Sequence, residues 1–253
     1  MDTWERPVVT IEGAAIALGP LRRALIPLYA RWQGDLLVQR TYRTPGPVTI
    51  EEATAWFEPR AAGGGDCWFT IYERATWRPI GYTEIDGIDW RVGTAGFGIL
   101  IGEADGRGRG YGTETTRLML DFAFTALGLR NVMLTTDAFN LAALSAYRQA
   151  GFTEIGRRRQ CSLLNGQFHD VVFMDCLASE FASPVLGTIF VPDAQRTERT
   201  MGGTCTLTSG SIPCAGSSFI RLRILAPDPR SCTPVARRES LPGGTPVPRT
   251  DGR

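Results

Sequence analysis

The most distinctive feature of this chain is the stretch GEADGRGRGYGTE, residues 102–114. Its glycines at every second position from 106 to 112 alternate with larger residues, between a strand-like run and a long helical run. Closely spaced glycines let the backbone approach a ligand and turn its N–H groups inward. The N-terminus of the following helix adds partial positive charge at the same point. The stretch therefore predicts a phosphate or pyrophosphate site at a strand-to-helix junction.

Two well-known phosphate loops do not fit these residues. The dinucleotide-binding fingerprint needs Gly-x-Gly-x-x-Gly early in a βαβ unit, whereas Gly108, Gly110 and Gly112 are evenly spaced and follow a run of predicted antiparallel strands. The P-loop needs a lysine, and the chain contains none. For this stretch taken alone, a flexible connection without a ligand stays open as the alternative.

A second candidate segment runs from Asn140 to Tyr147. These two residues are seven apart on a predicted helix, so they project only about 20° apart around its axis. Asn can hold an amide-containing ligand by two hydrogen bonds, and Tyr can donate its phenolic proton. The alternative is an Asn that caps the helix and a Tyr that packs.

The pattern along residues 1–183 predicts one α/β (α+β) domain, with a mixed, mostly antiparallel sheet flanked by helices. The strand-like runs are 8–18, 67–73, 79–86, 94–103 and 131–137, followed by a hairpin over Asn165-Gly166. The helical runs are 20–32 with a kink at Pro27, a helix capped by Thr49 that ends before Pro59, 113–127 closed by Gly128, and 140–150 with Asn140 as N-cap and Gly151 as its stop.

The composition changes near Ser183. Residues 184–253 hold nine arginines and five acidic residues and are dense in Gly, Pro, Ser and Thr, whereas 1–183 is slightly acidic. Apart from a strand-like run at 219–225, this tail cannot bury enough apolar surface to offset its ordering entropy. We expect residues 184–253 to be a disordered tail, with free thiols in a reducing compartment.

Composition and charge exclude several classes of protein. Hydrophobic residues make up 43% and charged residues 21% of the chain, and the net charge is +1, so no bulk attraction to nucleic acid or membrane is expected. No apolar run is long enough to span a bilayer, and no signal peptide is visible, so we expect a cytoplasmic protein. With one histidine and no Cys-x-x-Cys pair, we expect no metal site.

Together, the two candidate segments resemble the GNAT superfamily of acyl-CoA-dependent N-acetyltransferases. Residues 107–112 match its Arg/Gln-x-x-Gly-x-Gly/Ala pyrophosphate loop, and 140–152 match its second cofactor segment. More locally, the chain is similar to the RimJ/RimL-type branch, which acetylates ribosomal-protein N-termini. The sequence segments that carry this likeness are RWQGD (31–35), TIEEATAWF (49–57), GRGYGTE (108–114) and LNGQFHD (164–170). The resemblance covers about residues 8–178.

The resemblance implies a GNAT-type sheet with acetyl-CoA between two splayed parallel strands, 94–103 and 131–137. Backbone N–H groups of 97–101, including Leu100 and Ile101, would bind the pantetheine and polarise the thioester carbonyl. Tyr147 would protonate the departing CoA thiolate, and Asn140 would contact the cofactor. Backbone N–H groups of the loop would hold the pyrophosphate; its residues are Arg107, Gly108, Arg109, Gly110, Tyr111, Gly112 and Thr113.

The sequence offers several candidates for the general base. Related enzymes place a glutamate just before the Asn segment, but here residues 134–136 are Leu-Thr-Thr. The glutamate that the RimL-type enzymes carry near the last hairpin also has no counterpart in CSLLNG (161–166). Glu84 is the first candidate, because it shares a strand face with Tyr82 and Asp86 beside the expected active strand. A solvated edge carboxylate is the alternative, and the rival bases are Asp86, Asp89, Glu103 and His169.

The resemblance implies direct acetyl transfer to a primary amine in a ternary complex. The acceptor is either a protein N-terminus or a small-molecule amine, and residues 79–86 are also similar to those of aminoglycoside N-acetyltransferases. A non-catalytic acyl-CoA-binding module is a third interpretation. We expect a monomer or homodimer without nucleic-acid or membrane partners. The segments expected to contact the acceptor, 34–48 and 87–93, do not identify it.

Overall fold

The computed structural model describes residues 4–42 and 46–193, except for the side chain of Tyr42. Most of the predicted tail, including the strand-like run at 219–225, lies outside the described residues. Among the helices of the described segments, none combines the length and apolar character that a bilayer crossing requires.

The described chain alternates short blocks of strands and helices. The strands are β1 (Ile11–Glu12), β2 (Ile16–Pro20), β3 (Cys67–Glu73), β4 (Pro79–Asp89), β5 (Thr94–Ile101), β6 (Asn131–Asp137), β7 (Thr153–Leu164) and β8 (Gln167–Leu177). The helices are α1 (Ile26–Gly34), α2 (Leu36–Tyr42), α3 (Ile50–Ala61), α4 (Tyr111–Asp121) and α5 (Leu141–Ala150). A π-helical turn, Phe122–Ala126, extends α4.

All eight strands form one sheet in the order β1-β2-β3-β4-β5-β6-β8-β7. Every neighbouring pair is antiparallel except β5 and β6, which are parallel. The mixed, mostly antiparallel sheet flanked by helices is therefore confirmed. The parallel pair is joined only through Thr94–Gly96 and Asn131–Met133, so within the described residues the rest of β5 has no strand partner on that side. The predicted separation of these two strands is thus present.

Two apolar clusters cover the two faces of the sheet. One includes Phe97 and Val132 with residues of α4 and α5, such as Met119 and Leu144. The other is aromatic and joins α1 and α3 to the opposite face; its members include Tyr29, Trp32, Phe57, Tyr72, Tyr82 and Leu100. Strand β5 contributes Phe97 to the first cluster and Leu100 to the second. Packing on both faces of the sheet therefore holds β5 in place beside the gap that it forms with β6.

Several local signals in the sequence produce the expected geometry. Thr49 forms a capping box with Glu52 at the start of α3, and the side chain of Asn140 accepts a hydrogen bond from the Ala143 N–H at the start of α5. Asn165 and Gly166 both have positive φ, 50° and 74°, as a two-residue hairpin turn of type I′ requires. These caps and turns depend on neighbours in sequence, which is why the sequence predicts them.

Other expectations about local structure are wrong. The expected strand 8–18 is two strands, β1 and β2. Pro27 lies in the first turn of α1, where its missing N–H costs nothing, so no kink forms. Helix α3 continues past Pro59, which removes only one hydrogen bond near its end, and Ala62 still donates to the Glu58 carbonyl. Helix α4 begins at Tyr111, two residues earlier than expected.

The segment expected to be an acceptor loop contains helix α2. Its start is stabilised by Asp35, whose carboxylate accepts a hydrogen bond from the Leu37 N–H at 2.9 Å. The backbone N–H groups of Val38 and Gln39 donate to the Asp35 carbonyl. The helix is short, and its residues Leu36 and Leu37 are exposed. The sequence therefore shows no apolar periodicity that would predict this helix.

The packed domain continues beyond its predicted end at residue 183. The fully buried Asp121 accepts hydrogen bonds from the backbone N–H groups of Val185 and Leu186, at 2.9 and 2.8 Å, and from the Ser183 hydroxyl. Leu186 is 5% exposed and belongs to the core of the α4 side. Residues 184–188 are therefore part of the domain, whereas the predicted disorder of 194–253 stays a prediction.

We expect a chain that ends at residue 183 to be less stable than one that ends at residue 193. The shorter chain loses the burial of Leu186, worth ~1.5–3 kcal/mol, and two hydrogen bonds to a buried carboxylate, worth ~1.5–3 kcal/mol each. At about 2–4 °C per kcal/mol, the thermal midpoint should fall by roughly 10 °C or more. Calorimetry on both truncations measures the difference, and equal midpoints would contradict this account.

Candidate functional site

A cleft of about 860 Å³ opens where β5 and β6 separate. Its size lies within the ordinary range of small-molecule sites. Five parts of the chain line it: α2, the strand pair β4 and β5, the glycine-rich connection before α4, the end of β6, and α5. The sequence-predicted residues among its walls are Glu84, Leu100, Ile101, Arg107, Gly108, Gly110, Gly112, Thr113, Asn140 and Tyr147.

The glycine loop, defined here as residues 104–113, turns one side to the cleft. Gly108 and Gly110 have φ of +73° and +81°, where any residue with a Cβ is strained. A Cβ at Gly108, Gly110 or Gly112 would meet no atom of the described chain within 4 Å, so the loop leaves open space there. At these three positions, the alternation seen in the sequence therefore places bare backbone along the cleft.

The loop ends in the N-terminus of α4. Gly110 is the N-cap residue and has no side chain with which to cap the helix. Because the first N–H groups of a helix have no partner within the helix, those at the start of α4 can be satisfied by a ligand. Together with the helix dipole, this geometry suits an anion such as a pyrophosphate.

Arg107 lies across the end of β5. Its Nε donates to the Ile101 carbonyl at 3.2 Å, and its Nη2 donates to the Gly102 carbonyl at 3.3 Å. The guanidinium also lies 4.0 Å from the Asp35 carboxylate at the start of α2. A positive charge therefore stands at the mouth of the cleft, between the glycine loop and α2.

Arg109 and Tyr111 are the two predicted loop residues whose side chains do not line the cleft. Both side chains reach the buried Glu73 on the other side of the loop. They can face a ligand only through their backbone N–H groups, which is the role that the sequence resemblance implied for them.

Asn140 and Tyr147 both line the cleft from α5, as their spacing predicted. The Asn140 side chain also caps its helix. The Tyr147 ring packs edge-on against Phe97 and Phe152, with centroid distances of 6.2 and 6.0 Å. Burial, and then the nearby Glu84 charge, raise the pKa of Tyr147, so its phenol stays protonated at neutral pH. It is therefore both a packing residue and an available proton donor.

Glu84 lies opposite Gly98 in the β4–β5 pair. Its carboxylate occupies the space that a Cβ at residue 98 would need, so this glycine lets the acid lie over the active strand. The Oε2 atom is buried without a hydrogen-bond partner among the described residues. Burial raises the pKa of Glu84 to about 8, and the Asp86 carboxylate adds to the shift. A carboxyl in this state can accept a proton near neutral pH.

Charged and aromatic side chains surround Glu84. The guanidinium of Arg60 lies over the rings of Trp56 and Trp68, at 5.0 and 4.7 Å from their centroids, and it opposes the rise in the Glu84 pKa. Burial, and then the Asp66 carboxylate, raise the pKa of Asp86. Three carboxyl groups therefore converge on this side of the sheet, with Arg60 as a nearby cation.

The other rival bases are engaged elsewhere. Asp89 accepts a hydrogen bond from the Arg91 N–H at 2.9 Å in the β4–β5 turn. Glu103 accepts from the Trp32 indole N–H at 2.7 Å and pairs with Arg31. His169 packs against Phe139 in the last hairpin and does not line the cleft. Asp86 is thus the rival base whose environment is most like that of Glu84, because burial also raises its pKa.

Some residues of the cleft were not named individually from the sequence. Thr135, Thr136 and Asp137 come from the end of β6, and Leu37, Val38 and Thr41 come from α2. Both sets lie in segments that the sequence assigned to the site, the strand 131–137 and the acceptor segment 34–48, but the helical form of α2 was not predicted. Within residues 4–42 and 46–193, no group of three or more His, Cys, Asp or Glu side chains is arranged to hold a metal ion.

Comparison with known protein families gives one match over most of the domain. The model of the acetyltransferase (GNAT) domain matches residues 16–153, which is more than half of the chain. Spermidine N(1)-acetyltransferase of Vibrio cholerae is 30% identical over 111 residues, or 44% of this chain and 64% of that protein. The Escherichia coli K12 protein of the same name is 31% identical over 94 residues, or 37% of this chain and half of that protein. The chain thus spans less than two thirds of either relative.

Solved structures share the fold. The Vibrio cholerae spermidine N-acetyltransferase in complex with CoA and spermine superposes with a TM-score of 0.61 at 22% identity, covering 66% of this chain and 97% of that one. An acetyltransferase of the GNAT family from Bacillus anthracis gives a TM-score of 0.59 at 15% identity, covering 67% and 99%. At these identities the likeness establishes the fold.

Proposed function

The chain belongs to the GNAT acetyltransferase family, and we propose that it transfers an acetyl group from acetyl-CoA to a primary amine of a small molecule. One observation carries the proposal: the glycine loop, the half-buried acid Glu84 and the phenol of Tyr147 line the same cleft. An anion site, a proton acceptor and a proton donor are the parts that direct acetyl transfer in a ternary complex needs.

The residues of the cleft fit the acetyl donor. The backbone N–H groups of 107–113 and the start of α4 would bind its pyrophosphate, with Arg107 beside them. The β6-facing edge of residues 97–101, including Leu100 and Ile101, would bind the pantetheine arm and direct N–H groups at the thioester carbonyl. Asn140 would contact the arm from α5. Acetyl-CoA supplies the activated acyl group.

Glu84 would act as the general base. An amine must be neutral to attack, whereas alkyl ammonium groups have pKa values of ~10. A carboxyl whose pKa is about 8 removes that proton more effectively than an ordinary one, because its basicity is higher. Tyr147 would donate its proton to the departing thiolate from the opposite side of the cleft.

The carboxyl groups of Asp66, Glu84 and Asp86 favour a cationic acceptor. The relatives named spermidine N(1)-acetyltransferase support a small polyamine, and an aminoglycoside carries the same chemistry. A protein N-terminus, the acceptor of the RimJ/RimL-type branch, is the second candidate, because α2 leaves Leu36 and Leu37 exposed beside the cleft, where a peptide side chain could pack. The RimJ/RimL-type branch, the cytoplasmic location and the monomeric or dimeric state stay predictions.

The experiment that tests the proposal is thiol release from acetyl-CoA with a panel of amines. We expect turnover with polyamines or aminoglycosides and little with N-terminal peptides. Turnover confined to peptides would overturn the small-molecule acceptor but not the enzyme class. Binding of acetyl-CoA without turnover of any amine would instead favour a non-catalytic acyl-CoA-binding module.

We expect Gly110→Asp to weaken acetyl-CoA binding at least ~10-fold, or ~1.4 kcal/mol. Aspartate at this position puts a negative charge into the open side of the loop and strains a backbone with φ of +81°. Calorimetric titration of the folded variant measures the loss.

Gly128→Asp is the matched control. It has a φ of +70° and open space around its Cβ position, and it lies after the π-helical turn, away from the cleft. It should match the loss of stability of Gly110→Asp but bind acetyl-CoA as the wild type does. Unchanged affinity in Gly110→Asp would sink the assignment of the loop.

A further inference from the structure

Glu73, the last residue of β3, is a buried acid that the proposed chemistry does not use. It is 6% exposed and lies on the outer side of the glycine loop, away from the cleft. A buried carboxylate is costly unless it is well hydrogen-bonded, so its partners indicate what it does.

Two of its partners come from the glycine loop. The Arg109 Nη1 and the Tyr111 hydroxyl both donate to the same oxygen, Oε1, at 2.7 Å. The Arg109 guanidinium also lies over the Tyr111 ring, 4.8 Å from its centroid. These two residues flank Gly110, the left-handed residue from which α4 starts. Glu73 therefore holds the chain on both sides of the point where the loop becomes a helix.

The other oxygen ties Glu73 to its own turn. The Thr76 hydroxyl donates to Oε2 at 2.7 Å, and the Thr76 and Trp77 N–H groups donate to the Glu73 carbonyl. The hydrogen bonds from Thr76 and Tyr111 lower the pKa of Glu73, so the carboxylate stays ionised. The same turn also holds the start of the loop, because Arg78 pairs with Asp105 at 2.8 Å.

The loop is thus divided between two sides. Gly106, Gly108, Gly110 and Gly112 face the cleft, whereas Asp105, Arg109 and Tyr111 are bound from outside by the end of β3 and the turn that follows it. We propose that Glu73 is a positioning residue, which holds the glycine loop in the shape that presents its N–H groups to the pyrophosphate. The proposal rests on the proposed acetyl-CoA site.

The expected effect follows from preorganisation. Without the negative charge, the hydrogen bonds from Arg109 and Tyr111 to residue 73 weaken, and the loop must be ordered when the ligand binds, which lowers affinity. Coulomb repulsion alone predicts the opposite change in affinity. Removing the negative charge of Glu73 would reduce its repulsion of the pyrophosphate and strengthen anion binding. Glu73→Gln, which keeps the shape but removes the charge, therefore separates the two effects by sign.

The experiment is calorimetric titration of full-length wild type, Glu73→Gln and Tyr111→Phe with CoA, together with steady-state kinetics. We expect Glu73→Gln to raise the CoA dissociation constant and the acetyl-CoA KM about 10-fold and Tyr111→Phe about 3-fold. The value of kcat at saturating acetyl-CoA should hold, and so should the KM for the amine. Tyr111→Phe removes one hydroxyl and keeps the ring, so it reports on the loop even if Glu73→Gln does not fold.

Asp121→Asn is the control for general destabilisation, because Asp121 is a buried acid at the far end of α4. Its CoA affinity should match that of the wild type, although its thermal midpoint falls. Equal or tighter CoA binding by Glu73→Gln would overturn the positioning role, as would an equal loss of affinity in Asp121→Asn. Wild type that does not bind CoA would overturn the proposed function and, with it, this inference.

Discussion

Glu84→Gln is expected to lower kcat by ~10²–10⁴-fold at neutral pH, the usual contribution of a positioned general base. The amide keeps the size of the side chain over Gly98 but cannot accept the proton of the attacking amine. The affinity for acetyl-CoA should hold, because the glycine loop is untouched. Steady-state kinetics with the acceptor found by thiol release would measure both values.

The pH dependence supplies an independent test of Glu84. Its pKa is about 8, so in the wild type the fraction of free base, and with it kcat/KM, should rise with pH up to about 8. The Gln variant should lose this step and retain only the rise due to the acceptor amine, near ~10. A step near pH 8 that survives in Glu84→Gln would assign the base to another group, and Asp86 is the first rival.

The thermal stability of Glu84→Gln, compared with that of the wild type, should show whether the variant has lost its chemistry or its fold. The pKa of Glu84 is raised above its unfolded value of 4.5, so the folded chain binds the extra proton, and its stability falls as pH rises from about 4.5 to 8. The Gln variant lacks this ionisation and should melt no lower than the wild type at pH 8. As a matched control, Asp89→Asn changes the carboxylate of the last residue of the same strand and should keep kcat.

Tyr147→Phe is expected to slow the chemical step by ~10²–10³-fold, within the range for one positioned proton donor. The change removes only the hydroxyl and keeps the ring that packs against Phe97 and Phe152. Stability and acetyl-CoA affinity should therefore hold. An interaction made only in the transition state lowers kcat without raising KM, and kinetics with saturating acetyl-CoA would show that pattern.

Two other outcomes would change the role of Tyr147. Wild-type kcat in Tyr147→Phe would mean that the thiolate leaves unaided or takes its proton from water, and Tyr147 would be a packing residue beside the cleft. A raised KM for acetyl-CoA with normal kcat would make it a binding contact. The high pKa of its phenol means that neither outcome depends on its ionisation near neutral pH.

The sequence alone determined the features that depend on neighbours along the chain. The alternating glycines of 106–112, the Asn140 cap with Tyr147 two turns later, and the Asn165-Gly166 turn lie where expected, because spacing and local backbone preferences specify them. The order of strands and helices then led to the mixed sheet, and the two motifs together led to the family. Some element bounds were wrong because the folded chain tolerates a residue that usually ends an element, such as Pro59 inside α3.

Contacts between side chains that lie far apart in sequence are visible in the folded structure alone. Glu84 was one of several acids on neighbouring strands until the fold placed it over Gly98, removed its water and raised its pKa. Glu73 carried no sequence signal of a role, because its partners Arg109 and Tyr111 are more than thirty residues away. Likewise, Asp121 extends the domain past residue 183 through contacts more than sixty residues apart. Burial and long-range hydrogen bonds arise only when distant segments pack, and they set both the chemistry and the limits of this domain.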